Sequence, residues 1–288
     1  MKTFFYLFAV LFLSHLSFAN YLDRDDVQDF IDFMHIEHGF SKEYVSKTIS
    51  QASKQQNIID LMNNPSEKVT SWDDYKKRVS ITRIQNGIRF IKAYKKWFIK
   101  AEEEFGIPRE VIAAIIGLET NYGGYKGNTR VIDALATAAF DYPRRRNFFK
   151  TQLEEFFLLT REENFDPLVI KGSYAGAMGF AQFMPDNYRR LAVDFDGDRK
   201  KDILSNPADA IGSVANFLSS TKGNKRGWER NGFIAIEADP KKRNKSIKSS
   251  FKLRSYEDLD IKAKENFDFN DEYIPVSYTH LTLPTTKN

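Results

Sequence analysis

The chain has 288 residues, enough for one large domain or two small ones, and its 42% hydrophobic and 28% charged residues exclude a largely disordered polypeptide. A formal charge of +4 gives no reason to expect a nucleic-acid partner, though it suits an anionic polymer. With no cysteine, disulfides, thiolate zinc sites, a cysteine nucleophile and a lipid anchor on cysteine are all excluded.

Residues 1–19 read as a secretory signal. Lys2 is followed by the ten-residue apolar run Phe4 to Leu13, and Ser17-Phe18-Ala19 places small residues at the two cleavage-recognition positions. The run is short for a membrane span, so export is expected, with an uncleaved anchor as the alternative. Residues 23–62 carry two or three short helical patterns; Val27, Phe30, Ile31 and Met34 share one face, and Asn63-Asn64-Pro65-Ser66 ends the pattern. Residues 81–105 read as one long helix with Ile84, Ile88, Ile91 and Phe98 about a turn apart, stopped by Gly106. Pro108 then fits the first turn of a helix whose Val111 to Leu118 stretch is almost wholly apolar and therefore buried. Further helices are expected over 131–140, 146–162, 175–190 and 207–220. After Gly232 the text turns strand-like at 233–236 and 251–253, around a basic stretch from Lys241 to Lys248. Val276 to Asn288 breaks from everything before it and reads as a non-native read-through tail.

The expected fold class is mainly α, with a small β-containing C-terminal part. The expected division is a signal peptide over 1–19, an N-terminal helical region over 20–105 and a core over 106–222. A small, truncated β-containing part follows over 223–275, then the tail over 276–288.

Two segments carry chemistry. In VIAAIIGLETNYGG (111–124), Glu119 follows eight uncharged residues. Desolvation raises a carboxyl pKa, and an acid kept protonated near neutral pH can hand its proton to a leaving group. The bland alternative is a glutamate at a helix end, exposed or paired with Arg130 or Arg144. In KGSYAGAMGFAQFMP (171–185), a run of small residues lets a backbone approach a ligand, with Ser173 and Gln182 as non-titrating hydrogen-bonding groups. The alternative there is close helix packing.

Together these segments resemble the lytic transglycosylase B family, exported bacterial enzymes that cleave peptidoglycan. The likeness rests on GLETNYGG (117–124), DALATAAFDYPRR (133–145), GSYAGAMGFAQFMP (172–185) and NPADAIGSVANFL (206–218), in that order, with weaker likeness reaching upstream to Ser71-Trp72. The resemblance implies a lysozyme-like helical core with a substrate cleft. It implies Glu119 as the single catalytic acid/base, Ser173 on the N-acetyl group of the muramic acid, and Gln182, Phe183 and Met184 lining the cleft. Tyr75 would hold sugar, and Tyr122 joins the substrate-binding set. Phe148 and Phe217 stand where tyrosines in contact with sugar are expected. The implied reaction forms a 1,6-anhydro sugar and needs no catalytic cofactor. The implied partner is the peptidoglycan glycan strand, met in the periplasm at the cell wall or membrane; the sequence leaves the oligomeric state open. A hydrolytic muramidase and a non-catalytic peptidoglycan binder are the competing functions.

A third segment, DFDGDRKKD (194–202), sets Asp194, Asp196, Asp198 and Asp202 at positions 1, 3, 5 and 9 of a calcium-loop template, with Lys200 at position 7. The resemblance also implies one structural calcium ion here. Arg199 replaces the usual glycine at position 6 and Ser205 the usual glutamate at position 12, so Asp209 is the candidate for the missing carboxylate. The alternative is an aspartate-rich surface turn.

Overall fold

The computed structural model describes residues 21–64, 74 and 77–220, together with the backbone of four short strands further on. The expected signal segment, Ser71-Trp72, Tyr75, the strand-like runs at 233–236 and 251–253, the basic stretch 241–248 and the tail 276–288 lie outside the described residues.

The chain divides into two compact units at Lys54 and Gln55. In the first, a 3-10 turn precedes α1 (Asp25–His38) and α2 (Lys42–Ser50). Gly39, at φ 66°, closes α1, and the Ser41 hydroxyl caps α2 by accepting from the Tyr44 amide at 3.1 Å. Val27, Phe30, Ile31 and Met34 are buried as their spacing predicts, and Val45 and Ile49 are buried on α2.

The second unit begins with α3 (Gln56–Asn63). The stretch expected as one helix over 81–105 is two: α4 (Ile81–Ala93) and α5 (Lys95–Phe105). Tyr94 leaves helical geometry at φ −110°, ψ 25°, so the axis breaks there. The apolar spacing carries through the break, which is why the sequence conceals it. Ile84 and Ile88, which the spacing sets about a turn apart, are exposed; α4 buries Gly87 and Phe90. Gly106, at φ 71°, ends α5. α6 (Arg109–Thr120) follows and packs against both α4 and α5.

Next come β1 (Thr129–Arg130), α7 (Val131–Asp141) and α8 (Arg146–Glu162). All ten residues from Val131 to Phe140 are buried, which makes α7 the central helix, with α3 and α8 packed on it. β2 (Lys171–Gly172) pairs antiparallel with β1. The helix expected over 175–190 is present only as α9 (Pro185–Leu191). Gly176, Gly179 and Gln182 have φ of 86°, 73° and 51°, so the segment before it turns repeatedly instead of coiling. α10 (Pro207–Ser219) runs against α5 and α6. Beyond it, β3 (Ala238–Pro240) pairs with β5 (Ile261–Ala263), and β4 (Arg254–Ser255) with β6 (Glu272–Tyr273). The protein is mainly α, and among the described residues its strands form short pairs.

Candidate functional site

α6 delivers Glu119 to its C-terminal end. Ile112, Ala113, Ile116 and Gly117 bury one side of this helix, so residue 119 emerges where the buried stripe ends. Asn121 and Tyr122 then adopt left-handed geometry, at φ 50° and 61°, and Gly123 follows at 85°. Three successive residues in this region reverse the chain directly after the glutamate.

Thr120 fixes the position. Its hydroxyl is buried and lies 2.8 Å from the Phe180 carbonyl, its shorter donor contact, while accepting from the Gly123 amide at 3.0 Å. One side chain therefore ties the end of α6 to the glycine-rich segment 172–185. Sequence reasoning missed this residue; the only signal was an alcohol between a glutamate and a reversal motif.

Glu119 itself makes no hydrogen bond and no ion pair among the described residues. The paired alternative fails: Arg130 is engaged with Asp133, at 2.8 and 2.9 Å, and neither it nor Arg144 pairs with Glu119 among the described residues. Glu119 is exposed by surface, yet protein crowding desolvates its carboxyl and raises its pKa above the ordinary glutamate value. The negative end of α6 adds to the same preference for the neutral acid.

The segment 172–185 is a compact set of turns. The Ser173 hydroxyl accepts from the amides of Ala175 (3.3 Å) and Ala177 (3.1 Å), leaving its proton to donate. The Gln182 carboxamide donates to the carbonyls of Lys126 (3.2 Å) and Gly179 (3.0 Å), and its oxygen accepts nothing among the described residues. Gly127 comes so close to Gly172 that a Cβ would lie 2.0 Å from its carbonyl oxygen. Phe183 is 7% exposed and sits 5.6 Å from Phe217, ring to ring, so the pair forms one aromatic unit. Met184 is half-buried and opens α9. Phe148 lies under the Arg145 guanidinium at 4.2 Å. Tyr122 is wedged between α4 and α6, where Gly87 and Gly117 make room for its ring, and Phe90 lies 5.4 Å away.

The acidic loop is linked to the same segment. The Ile203 carbonyl accepts from the Phe180 amide at 3.0 Å, and the Leu204 carbonyl from the Lys126 ammonium at 2.8 Å. Within the loop, oxygens of Asp194, Asp198 and Asp209 lie within 4.8 Å of one another. Asp209 is buried and accepts from the amides of Phe195 (2.7 Å) and Asp202 (2.8 Å). Burial raises its pKa most, with the carboxylates of Asp196 and Asp194 acting in the same direction against those amides. Asp196 accepts from the Asn206 side chain at 2.8 Å, Asp202 from the Leu204 and Ser205 amides at 2.9 Å, and the Lys200 amide donates to Asp198 at 2.8 Å.

Residues 22–288 match the family model described as the Transglycosylase SLT domain. The chain belongs to that family. Over 231 residues it is 40% identical to the "Membrane-bound lytic murein transglycosylase B" of Escherichia coli strain K12, a stretch covering 77% of this chain and 62% of that protein. It therefore spans less than two thirds of this relative. The Escherichia coli lytic transglycosylase SLT35, solved in complex with calcium, superposes with a TM-score of 0.77 at 36% identity, covering 86% of this chain and 78% of that one. SltB3 of Pseudomonas aeruginosa, solved with a NAG-anhNAM-pentapeptide, gives a TM-score of 0.64 at 25% identity, covering 74% and 56%. The helical core is lysozyme-like, as the sequence resemblance implies.

The raised pKa of Glu119 has a stability consequence. Folded protein binds this proton more tightly than unfolded protein, so the group destabilises the fold above its folded pKa and is neutral below the unfolded one. Glu119→Gln is expected to melt at a higher temperature than the unsubstituted protein at pH 8, with the gain gone at pH 4. A lower melting temperature for the variant at pH 8 would contradict the desolvated, unpaired state.

Proposed function

We propose that this chain is a peptidoglycan lytic transglycosylase that cleaves the β-1,4 bond between N-acetylmuramic acid and N-acetylglucosamine, with Glu119 as its one acid and base. The observation that carries this reading is a carboxyl at the end of a helix buried along one side, raised in pKa and without a partner among the described residues.

Hydrolytic glycosidases ordinarily use two carboxyls, one to protonate the leaving oxygen and one to attack or to activate water. Near the motif block, Asp133 is committed to Arg130. A single carboxyl is enough when the nucleophile belongs to the substrate. Glu119 gives its proton to the departing glucosamine oxygen as the C1–O bond breaks. The muramyl 6-hydroxyl oxygen then bonds to C1, and the Glu119 carboxylate takes that hydroxyl's proton, which restores the acid. The product is a 1,6-anhydromuramyl end and no water is consumed. Tethering the hydroxyl gives an effective molarity that a free nucleophile lacks. The Ser173 hydroxyl proton is assigned to the substrate acetamide, and the Gln182 oxygen to a sugar hydroxyl or amide. Met184, Phe148, Tyr122 and the Phe183–Phe217 pair are assigned to the walls of the cleft. Tyr75 is kept as a sugar contact outside the described residues. SltB3 holding an anhydro-sugar peptide supports the substrate class. Residues 1–19 are assigned to export, which places the enzyme in the periplasm.

The acidic loop is assigned one structural calcium ion, held by Asp194, Asp198 and Asp209 with Asp196, Asp202 and the Lys200 carbonyl as further oxygen donors. The donor set fits: it is all oxygen, and a buried aspartate faces like charges that a cation would neutralise. The ion supplies charge neutralisation to the loop, while Ile203 and Leu204 hold the cleft segment. Calcium is expected to raise the melting temperature and a chelator to lower it, with the response lost in Asp194→Asn/Asp198→Asn. A double variant that still responds as the parent does would remove the assignment.

Mass spectrometry of soluble products from purified peptidoglycan tests the reaction. Anhydromuropeptides are expected from the unsubstituted protein, and a loss of at least about 1,000-fold in Glu119→Gln, on the scale of removing a general acid. Reducing-end muropeptides would mean a muramidase, and binding without product would mean a non-catalytic wall protein.

A further inference from the structure

Lys126 is half-buried and has no carboxylate partner among the described residues. Its ammonium donates to the Leu204 carbonyl at 2.8 Å and lies 4.6 Å from the centre of the Phe180 ring. Both partners are neutral. An ammonium drawn partly out of water onto such groups loses hydration and gains no ion pair, which is not where a lysine serving solubility alone would sit. The backbone of the same residue reaches the candidate site. The Lys126 carbonyl accepts from the Gln182 carboxamide nitrogen at 3.2 Å, and the Gly179 carbonyl accepts from that nitrogen at 3.0 Å.

Carbonyl oxygens only accept, so these two contacts use both amide hydrogens and fix which end of the carboxamide is which. The carboxamide oxygen is left over, and it accepts nothing among the described residues. A rotation of the amide would set oxygen against two carbonyls, so while both acceptors stay in place Gln182 can only offer an acceptor to a ligand. Gly179 belongs to the same run of turns as Gln182, and its position follows from that run. Lys126 belongs to another piece of chain, and its carbonyl stays in reach only while the turn around it is held. On one side Gly127 approaches Gly172 and Ser173 so closely that a Cβ would meet their backbone. On the other, the ammonium of Lys126 is tied to Leu204 and to Phe180. We propose that Lys126 is a positioning residue for Gln182: the tie between its ammonium, the Leu204 carbonyl and the Phe180 ring holds the Lys126 carbonyl against the carboxamide, so that the Gln182 oxygen faces the substrate as an acceptor. The part of this that concerns substrate rests on the assignment of Gln182 to the cleft made above.

Lys126→Met keeps an unbranched apolar stem over the Phe180 ring and removes the donor. In 15N-labelled protein, the Gln182 side-chain amide signals, assigned by their loss in Gln182→Met, are expected to be dispersed and to collapse toward those of a freely solvated glutamine in Lys126→Met. Lys126→Arg, which keeps a cation over the ring and a donor toward Leu204, is expected to restore them. With a soluble glycan-peptide fragment of peptidoglycan as substrate, Lys126→Met is expected to lower kcat/KM about tenfold, the scale of one hydrogen bond to substrate. Lys126→Met/Gln182→Met is expected to lie within about twofold of Gln182→Met alone, because a residue acting through Gln182 has nothing left to act on. Amide signals unmoved by Lys126→Met, or losses that multiply in the double variant, would overturn the proposal. A parent protein that releases no anhydromuropeptides while its Gln182 signals still collapse in Lys126→Met would overturn the assigned reaction and uphold the positioning.

Discussion

The hydroxyl of Thr120 joins the two pieces of chain that carry the candidate site. On one side is the end of α6, which carries Glu119; on the other is the turn at Phe180, inside the segment that carries Ser173 and Gln182. The bond is buried, and in a low-dielectric setting an unmade hydrogen bond there is expensive, on the order of 1–3 kcal/mol. The left-handed run at Asn121, Tyr122 and Gly123 depends on it, since the same hydroxyl accepts the Gly123 amide. With the neighbouring residue pinned this way, Glu119 needs no partner of its own. Its carboxyl is free to take up and give back a proton while its backbone stays where the fold puts it.

The turns at 172–185 draw their order from outside themselves. Phe180 hangs on Ile203, Gln182 on Lys126, and Lys126 in turn on Leu204. An acidic loop, a glycine-rich segment and the end of a helix thus form one hydrogen-bonded chain. The acidic loop thus meets the glycine-rich segment and Lys126 through the carbonyls of Ile203 and Leu204.

Much of this was legible in the sequence. The uncharged run from Val111 to Leu118 announced α6 and singled out Glu119, and Gly106 and Pro108 marked the boundary between α5 and α6. What the sequence hid follows from physics that acts beyond local periodicity. The break at Tyr94 keeps the apolar spacing on both sides, so a period-based reading runs straight through it. Small residues at 175–181 suit a helix by composition, and only left-handed geometry at Gly176, Gly179 and Gln182 shows that the chain turns there. Ile84 and Ile88 have core-like spacing but lie opposite Gly87 and Phe90, and which face of α4 is buried is decided by α6 and Tyr122. Asp209, the candidate for the gap at position 12, has its carboxylate within 4.8 Å of those of Asp194 and Asp198.

The central claim is that Glu119 is an unpaired carboxyl that the fold desolvates. Its pKa can be read directly, from the carboxyl carbon shift of 13C-labelled glutamate as pH is varied, with the Glu119→Gln variant assigning the resonance. A midpoint well above the ordinary glutamate value of about 4.3 is predicted. A midpoint at or below that value would mean a hydrated or paired carboxylate, and the acid role assigned to Glu119 would fall with it.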